Sequence, residues 1–256
     1  MLRWARRGLE VCSRRVVLRR YLPTPCERVQ ILVSPGAQLN YWRRDLHRVD
    51  PNLLDLAVET VSDADVVWDV GASLGLFTFQ AACISGRRGA VVAIEPDPWA
   101  ARLLERTAAK NAGNTAPVEI VPVALADTSG ARSFVIAKRG RAASHLLGYG
   151  GTQAGGARRT FQVPTMTLDT LTDKCPHPQV VKIDVEGAEL EVLKGGERLL
   201  DAIRPKFILE VSSSCQEDVS KLLRSHDYDL FDASLPRERR LSLDKATWMT
   251  LALPSE

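Results

Sequence analysis

The chain has 256 residues, of which 45% are hydrophobic and 6% aromatic, with five cysteines and a formal net charge of +3. That length and apolar content suffice for one large core, and no apolar run approaches the roughly 20 residues needed to span a bilayer. A charge this small, with so few aromatics to stack on bases, gives no ground for nucleic acid as a partner.

The charge is unevenly spread. Residues 1–28 hold Arg3, Arg6, Arg7, Arg14, Arg15, Arg19, Arg20 and Arg28 against Glu10 and Glu27, so this segment carries +6 and the remainder −3. Arginines interrupt the apolar residues of LEVCSRRVVLRR, which argues against a secretory signal. The segment reads as a basic helix whose Leu2, Leu9, Val16 and Val17 pack on the domain. Peripheral contact with anionic headgroups is the alternative, and the thin apolar stripe weighs against it. Cys12, Cys26, Cys83, Cys175 and Cys215 are odd in number and lack C-x-x-C spacing. They are expected to be reduced thiols of a cytoplasmic protein, not a disulfide framework or a zinc site.

Residues 41–61 read as helical on both sides of Pro51, with Asp50 as cap and Pro51 at the first helical position. Leu53, Leu54, Ala57, Val58 and Val61 then make an apolar face fit to cover a sheet. Residues 1–62 are thus expected to be a basic helical extension, and 63–256 a single domain.

From there strands and helices alternate. VVWDVGASLG (66–75) is a β-branched run that ends in an acid and breaks into glycines, and AVVAIEPDP (90–98) repeats the run and the acid. Helices are expected at 74–86 and 98–112, and a third buried strand at 118–125. In such a unit a ligand lies across the carboxyl ends of the strands, and the acid ending the second strand meets ribose hydroxyls. Dinucleotide binding wants G-x-G-x-x-G, but here only Gly71 and Gly75 stand in the turn, with Ala72, Ser73 and Leu74 between them and Thr78 where a third glycine would fall. A nucleoside cofactor with no phosphate to cradle fits that spacing, and S-adenosylmethionine is such a cofactor.

Between 131 and 167, ARSFVIAK and RRTFQVPTMT read as short strands around a loop rich in glycine. A flexible insertion of about 139–160 at this edge would make a lid. Alternation then resumes with a strand at 180–185, a helix at 188–200, strands at 206–211 and 228–233 around a helix at 216–226, and a last strand at 246–253.

DVGASLGLFTF, EPDP, VPTMTLDTL (163–171) and VVKIDVEGAELEVLKGGERLL (180–200) together resemble the FkbM family of S-adenosylmethionine-dependent methyltransferases, over roughly residues 64–233. The resemblance implies an α/β, Rossmann-like class I methyltransferase fold: a mostly parallel seven-stranded sheet with an antiparallel last strand and helices on both faces. It also implies an acceptor hydroxyl on a sugar, glycolipid or natural product, hence O-methylation. That family's turn usually reads G-A-N-x-G, and Ser73 stands here where asparagine is expected. Rival readings are a non-catalytic Rossmann-like scaffold, and a methyltransferase acting on a protein or nucleic acid.

Site residues follow from place. Asp69, ending the first strand, is set to meet the cofactor's amino group. Gly71 and Gly75, with Ala72 and Ser73, shape the turn for close approach. Glu95, followed by Pro96, takes the ribose hydroxyls, and Asp127 either takes the adenine amine or forms a local turn. Asp184 and Glu186 are two apart at a strand end, which would turn both toward the acceptor, where one could take its proton. Glu210 is a third carboxylate on this edge. It could join Asp184 around a divalent ion, but no tight ligand spacing supports a metal. His145, the lone histidine of the insertion, is a further candidate base. Lys182 is expected only to reach past the sheet edge.

Overall fold

The computed structural model describes residues 10, 12–150 and 155–255. Residues 1–9, 11, 151–154 and 256 lie outside it, and with them the first part of the basic segment and the middle of the glycine loop.

The described part of the N-terminal region departs from the helical expectation. After a 3₁₀ turn at Ser13–Arg15, strands β1 (Leu18–Tyr21) and β2 (Gln30–Val33) pair as an antiparallel hairpin. A second 3₁₀ turn (Leu39–Trp42) precedes helix α1 (Pro51–Thr60). Of the two helices expected around Pro51, only the second forms. Asp50 caps it, accepting from Leu53 N at 3.0 Å, with Pro51 at its first turn. The hairpin is no appendage. Leu22, Val29, Ile31, Leu32 and Val33 are buried in one cluster with Leu74, Phe79, Leu103 and Leu104.

The large sheet is built from β3 (Val66–Val70), β4 (Ala90–Ile94), β5 (Val118–Val121), β10 (Val180–Ile183), β11 (Lys206–Glu210), β12 (Tyr228–Asp232), β13 (Ser242–Leu243) and β14 (Met249–Pro254). Its order is β13-β12-β14-β11-β10-β3-β4-β5. β5, β4, β3, β10 and β11 run parallel to one another, and β14 runs antiparallel to both β11 and β12. This is the expected mostly parallel sheet with an antiparallel last strand, extended at one edge by the two-residue β13.

Alternate residues of each strand feed opposite faces. Trp68, Val92, Val181 and Phe207 pack in one cluster, whereas Val67, Val91, Val180 and Ile208 pack in another. The first cluster is covered by α4 (Leu168–Thr172), α5 (Glu189–Lys194) and α6 (Gln216–Ser225). The second is covered by α1 and α2 (Leu76–Ser85), while α3 (Pro98–Asn111) packs Leu103 and Leu104 beside the hairpin.

Two expected elements are interrupted. The strand at 118–125 stops at Pro122, which has no N–H for a ladder. Its continuation β6 (Ala124–Leu125) joins a separate sheet of order β6-β9-β7-β8, formed with β7 (Gly130–Ala137), β8 (His145–Leu146) and β9 (Ala157–Met166). The expected strands around the glycine loop are the long pair β7 and β9. The helix at 188–200 ends at Lys194, where a Cβ on Gly195 would lie 2.4 Å from Ala126 O, and a π-helical turn follows at Leu199–Ile203.

The cysteines overturn a further expectation. Cys26 and Cys83 form a disulfide with Cα atoms 6.0 Å apart across 57 residues of sequence, and Cys12, Cys175 and Cys215 are free. Packing of the hairpin on α2 creates the pair, so spacing in sequence gives no sign of it. Disulfides persist in oxidising compartments, so the cysteines no longer argue for a reducing one. Among the described residues no helix is long and apolar enough to cross a membrane.

Candidate active site

β3 is flanked by β4 on one side and β10 on the other, so strand order reverses at its carboxyl end. A crevice is expected there in an open α/β sheet, and a cavity of about 600 Å³ opens there. Asp69, Gly71, Ala72, Ser73, Glu95, Pro96, Asp184, Glu186 and Glu210 of the expected site all line it.

The register of β3 on β10 sets Asp69 opposite Lys182. Both side chains are buried, and Lys182 Nζ lies 3.3 Å from Asp69 Oδ1, 3.5 Å from Asp184 Oδ2 and 3.5 Å from Gly71 O. Lys182 therefore does not reach past the sheet edge. It is locked between two carboxylates, whose charges hold its ammonium above the ordinary range despite burial. Thr78 on α2 donates to Asp69 Oδ2 at 2.6 Å. Asp69 Oδ1 is buried against the Lys182 ammonium, so Asp69 is held from both oxygens.

The turn after β3 is shaped by packing more than by ligand approach. Gly71 has φ +79°, and a Cβ there would sit 1.8 Å from Asp184 O. Gly75 does not line the cavity, because its open side is filled by Phe79 and Leu104. Ser73 is itself left-handed at φ +50°, a conformation that asparagine tolerates better. Its backbone N–H donates to Glu95 Oε2 at 2.7 Å, and Asp97 N–H donates to Oε1 at 2.7 Å. Glu95 thus ties the loops after β3 and β4 together, and each oxygen keeps a lone pair beyond the bond it accepts. Burial pushes its carboxyl up to about 8.

Asp127 and His145 are not brought to the site. Asp127 pairs with Arg132, five residues on, and does not line the cavity. His145 Nδ1 lies 2.9 Å from Ala143 O, and its ring fills the space beside Gly150, while its neighbours Ser144 and Leu146 line the cavity instead. An apolar wall is supplied by other residues: Trp99, Ala100, Val123, Leu125, Phe134 and Leu146. The insertion closes over it. Arg141 and Ala142 donate their backbone N–H groups to Gly36 O and Ala37 O, and the Arg141 guanidinium pairs with Asp97 and lies 4.7 Å from the Trp99 ring centroid. Tyr41 and Asp50 add a wall from the N-terminal region, which sequence reasoning left outside the site.

Beyond β10, Glu186 does not continue the extended strand. Its φ is +57°, a strained value for a non-glycine residue and one common at functional sites. Glu189, not Glu186, caps the turn into α5, accepting from Gly187 N–H at 2.8 Å. Asp184 keeps 29% exposure through the cavity, and burial raises its carboxyl while Lys182 pulls it down. Burial and the neighbouring Asp184 charge push both Glu186 and Glu210 up to about 8. Among the described residues no group of three or more His, Cys, Asp or Glu is arranged to hold a metal ion.

Three buried carboxyls with pKa near 8 have a consequence for stability. Glu95, Glu186 and Glu210 bind protons more tightly folded than at their ordinary 4.5. The stability they contribute is complete below pH 4.5 and is lost as pH rises to about 8. The melting midpoint of the ligand-free protein is therefore expected to fall between about pH 5 and about pH 8, and Glu210→Gln to flatten that fall. A midpoint that rises over this range in scanning calorimetry would contradict the assignment.

The family model described as the methyltransferase FkbM domain matches residues 69–230. A hexuronic acid methyltransferase, AglP, of Haloferax volcanii is 33% identical over 189 residues, covering 71% of each chain. Among solved structures, the methyltransferase FkbM from Methylobacillus flagellatus is similar at 16% identity and a TM-score of 0.49, over 75% of this chain and 44% of that one. A precorrin-6y C5,15-methyltransferase from Geobacter metallireducens is similar at 14% identity and a TM-score of 0.46, over 78% of this chain and 87% of that one.

Proposed function

Because the chain belongs to the FkbM methyltransferase family, we propose that it methylates a sugar hydroxyl with S-adenosylmethionine as donor, and that the acceptor is a hexuronic acid or a glycan carrying one. The observation that carries the donor is the pairing of Glu95 and Asp69 at adjacent strand ends of one cavity. Glu95 is held by two backbone N–H groups at 2.7 Å and has lone pairs left for a ribose diol. Asp69, paired with Lys182, sets a negative charge at the end of the adjacent strand, which favours a cofactor amine there. Gly71, Ala72 and Ser73 line the wall between them, and the apolar wall from Trp99 to Leu146 suits an adenine ring. When bound, the cofactor supplies an electrophilic methyl group on a sulfonium.

The chain's own part is positioning and proton transfer. An acceptor hydroxyl must lie in line with the methyl group and lose its proton as the new C–O bond forms. Asp184 is the residue placed for this, with its carboxylate open to the cavity and Lys182 holding it 3.5 Å away. Lys182 favours the ionised form of Asp184 and fixes its direction. Glu186 and Glu210, largely protonated at neutral pH, act as donors and acceptors to neighbouring hydroxyls of the acceptor. The hexuronic acid class is suggested by the 33% identical relative. Incubation with methyl-labelled S-adenosylmethionine and a panel of glucuronosides, galacturonosides and neutral glycosides tests it. Label on a uronoside supports the reading, and label confined to neutral glycosides, peptide or RNA would overturn the acceptor class.

A further inference from the structure

A second cavity, of about 290 Å³, adjoins the first, and Asp50 and Glu210 line both. Its remaining walls are Asn52, Asp232, Ser234, Thr247, Trp248 and Met249. It lies at the acceptor end, away from the wall suited to adenine. The backbone of its rim is pinned, with Val211 N–H donating to Trp248 O at 2.8 Å and Thr247 N–H to Thr250 Oγ1 at 2.9 Å. The Trp248 side chain is nevertheless 54% exposed. An isolated exposed aromatic needs no explanation, but this one forms the wall of a cavity that shares Asp50 and Glu210 with the first.

The chemistry of the walls selects the occupant. Asp50 and Asp232 supply carboxylates, Glu210 a carboxyl largely protonated at neutral pH, Asn52 an amide, and no Lys or Arg lines the cavity. A phosphate or a second uronate would be repelled. A neutral sugar ring satisfies both kinds of wall, since its hydroxyls donate to carboxylates and its C–H face lies on an indole. Asp232 is already oriented, its Oδ1 accepting from Ser234 N–H at 2.9 Å.

We infer that this cavity is a second sugar subsite, so that the acceptor is a glycan whose methylated residue occupies the main cavity and whose neutral neighbour stacks on Trp248. The inference rests on the sugar-methyltransferase reading above. Its test follows the Trp248 indole N–H resonance, identified by its absence in Trp248→Phe, in protein saturated with S-adenosylhomocysteine. Methyl glucoside, methyl galactoside, methyl mannoside and cellobiose are titrated, with spermidine and inorganic phosphate as charged controls. At least one neutral sugar is expected to move the resonance, with neither control doing so. Trp248→Ala should then weaken that sugar about tenfold and leave S-adenosylhomocysteine affinity unchanged. A resonance indifferent to all four sugars, a response to spermidine instead, or unaltered sugar affinity in Trp248→Ala would overturn the subsite. Failure to bind S-adenosylhomocysteine is seen before any sugar is added, and would overturn the methyl-transfer reading itself.

Discussion

Asp184→Asn is expected to lower kcat by roughly 100-fold or more, the usual contribution of a positioned base, while S-adenosylhomocysteine affinity stays within about threefold. Asparagine keeps the volume and can still meet Lys182 Nζ through its carbonyl oxygen, but it cannot accept a proton. The loss should therefore fall on kcat and not on cofactor binding. Lys182 sharpens the expectation. It sits 3.5 Å from Asp184 and 3.3 Å from Asp69, so one ammonium pairs with both carboxylates. Equal losses in turnover and in cofactor affinity would move Asp184 out of proton transfer and into the cofactor site.

Glu95→Ala is expected to weaken S-adenosylhomocysteine by roughly 10- to 100-fold, the loss of two ribose hydrogen bonds at about 0.5–1.5 kcal/mol each. The substitution also strands the backbone N–H groups of Ser73 and Asp97, which donate to this carboxylate at 2.7 Å. Glu95→Gln separates the two effects. Its single carbonyl oxygen can satisfy one of those donors, while its NH₂ faces the other, so an intermediate affinity is expected. Unchanged titration curves for both variants would remove the ribose from this strand end.

The β3–α2–β4 unit was legible because its strands are short β-branched runs that end in acids, and buried parallel strands need that composition. The capped start of α1 was legible for an equally local reason, an Asp-Pro pair at its first turn. What could not be read depended on contacts distant in sequence. Lys182 looks like a surface lysine beside Ile183 until the register of β10 on β3 puts it against Asp69. The hairpin at 18–33 and its disulfide to α2 become visible only once the chain has folded back. Asp127 had the right place in the alternation but was claimed by Arg132, an option visible in sequence at a separation of five residues. Pro122 was likewise on view within 118–125, and its missing N–H is what hands β6 to the second sheet. The apolar wall from Phe134 and Leu146 carries no motif, because any well-shaped hydrophobic side chain can supply it.

The cavity between β3, β4 and β10 is most directly tested by calorimetric titration of the purified protein with S-adenosylmethionine and S-adenosylhomocysteine, with NAD as control. The account predicts binding of the first two in the micromolar range and none of NAD, since the turn at 71–75 lacks the third glycine of a pyrophosphate cradle. Folded protein that binds neither sulfur compound would contradict it.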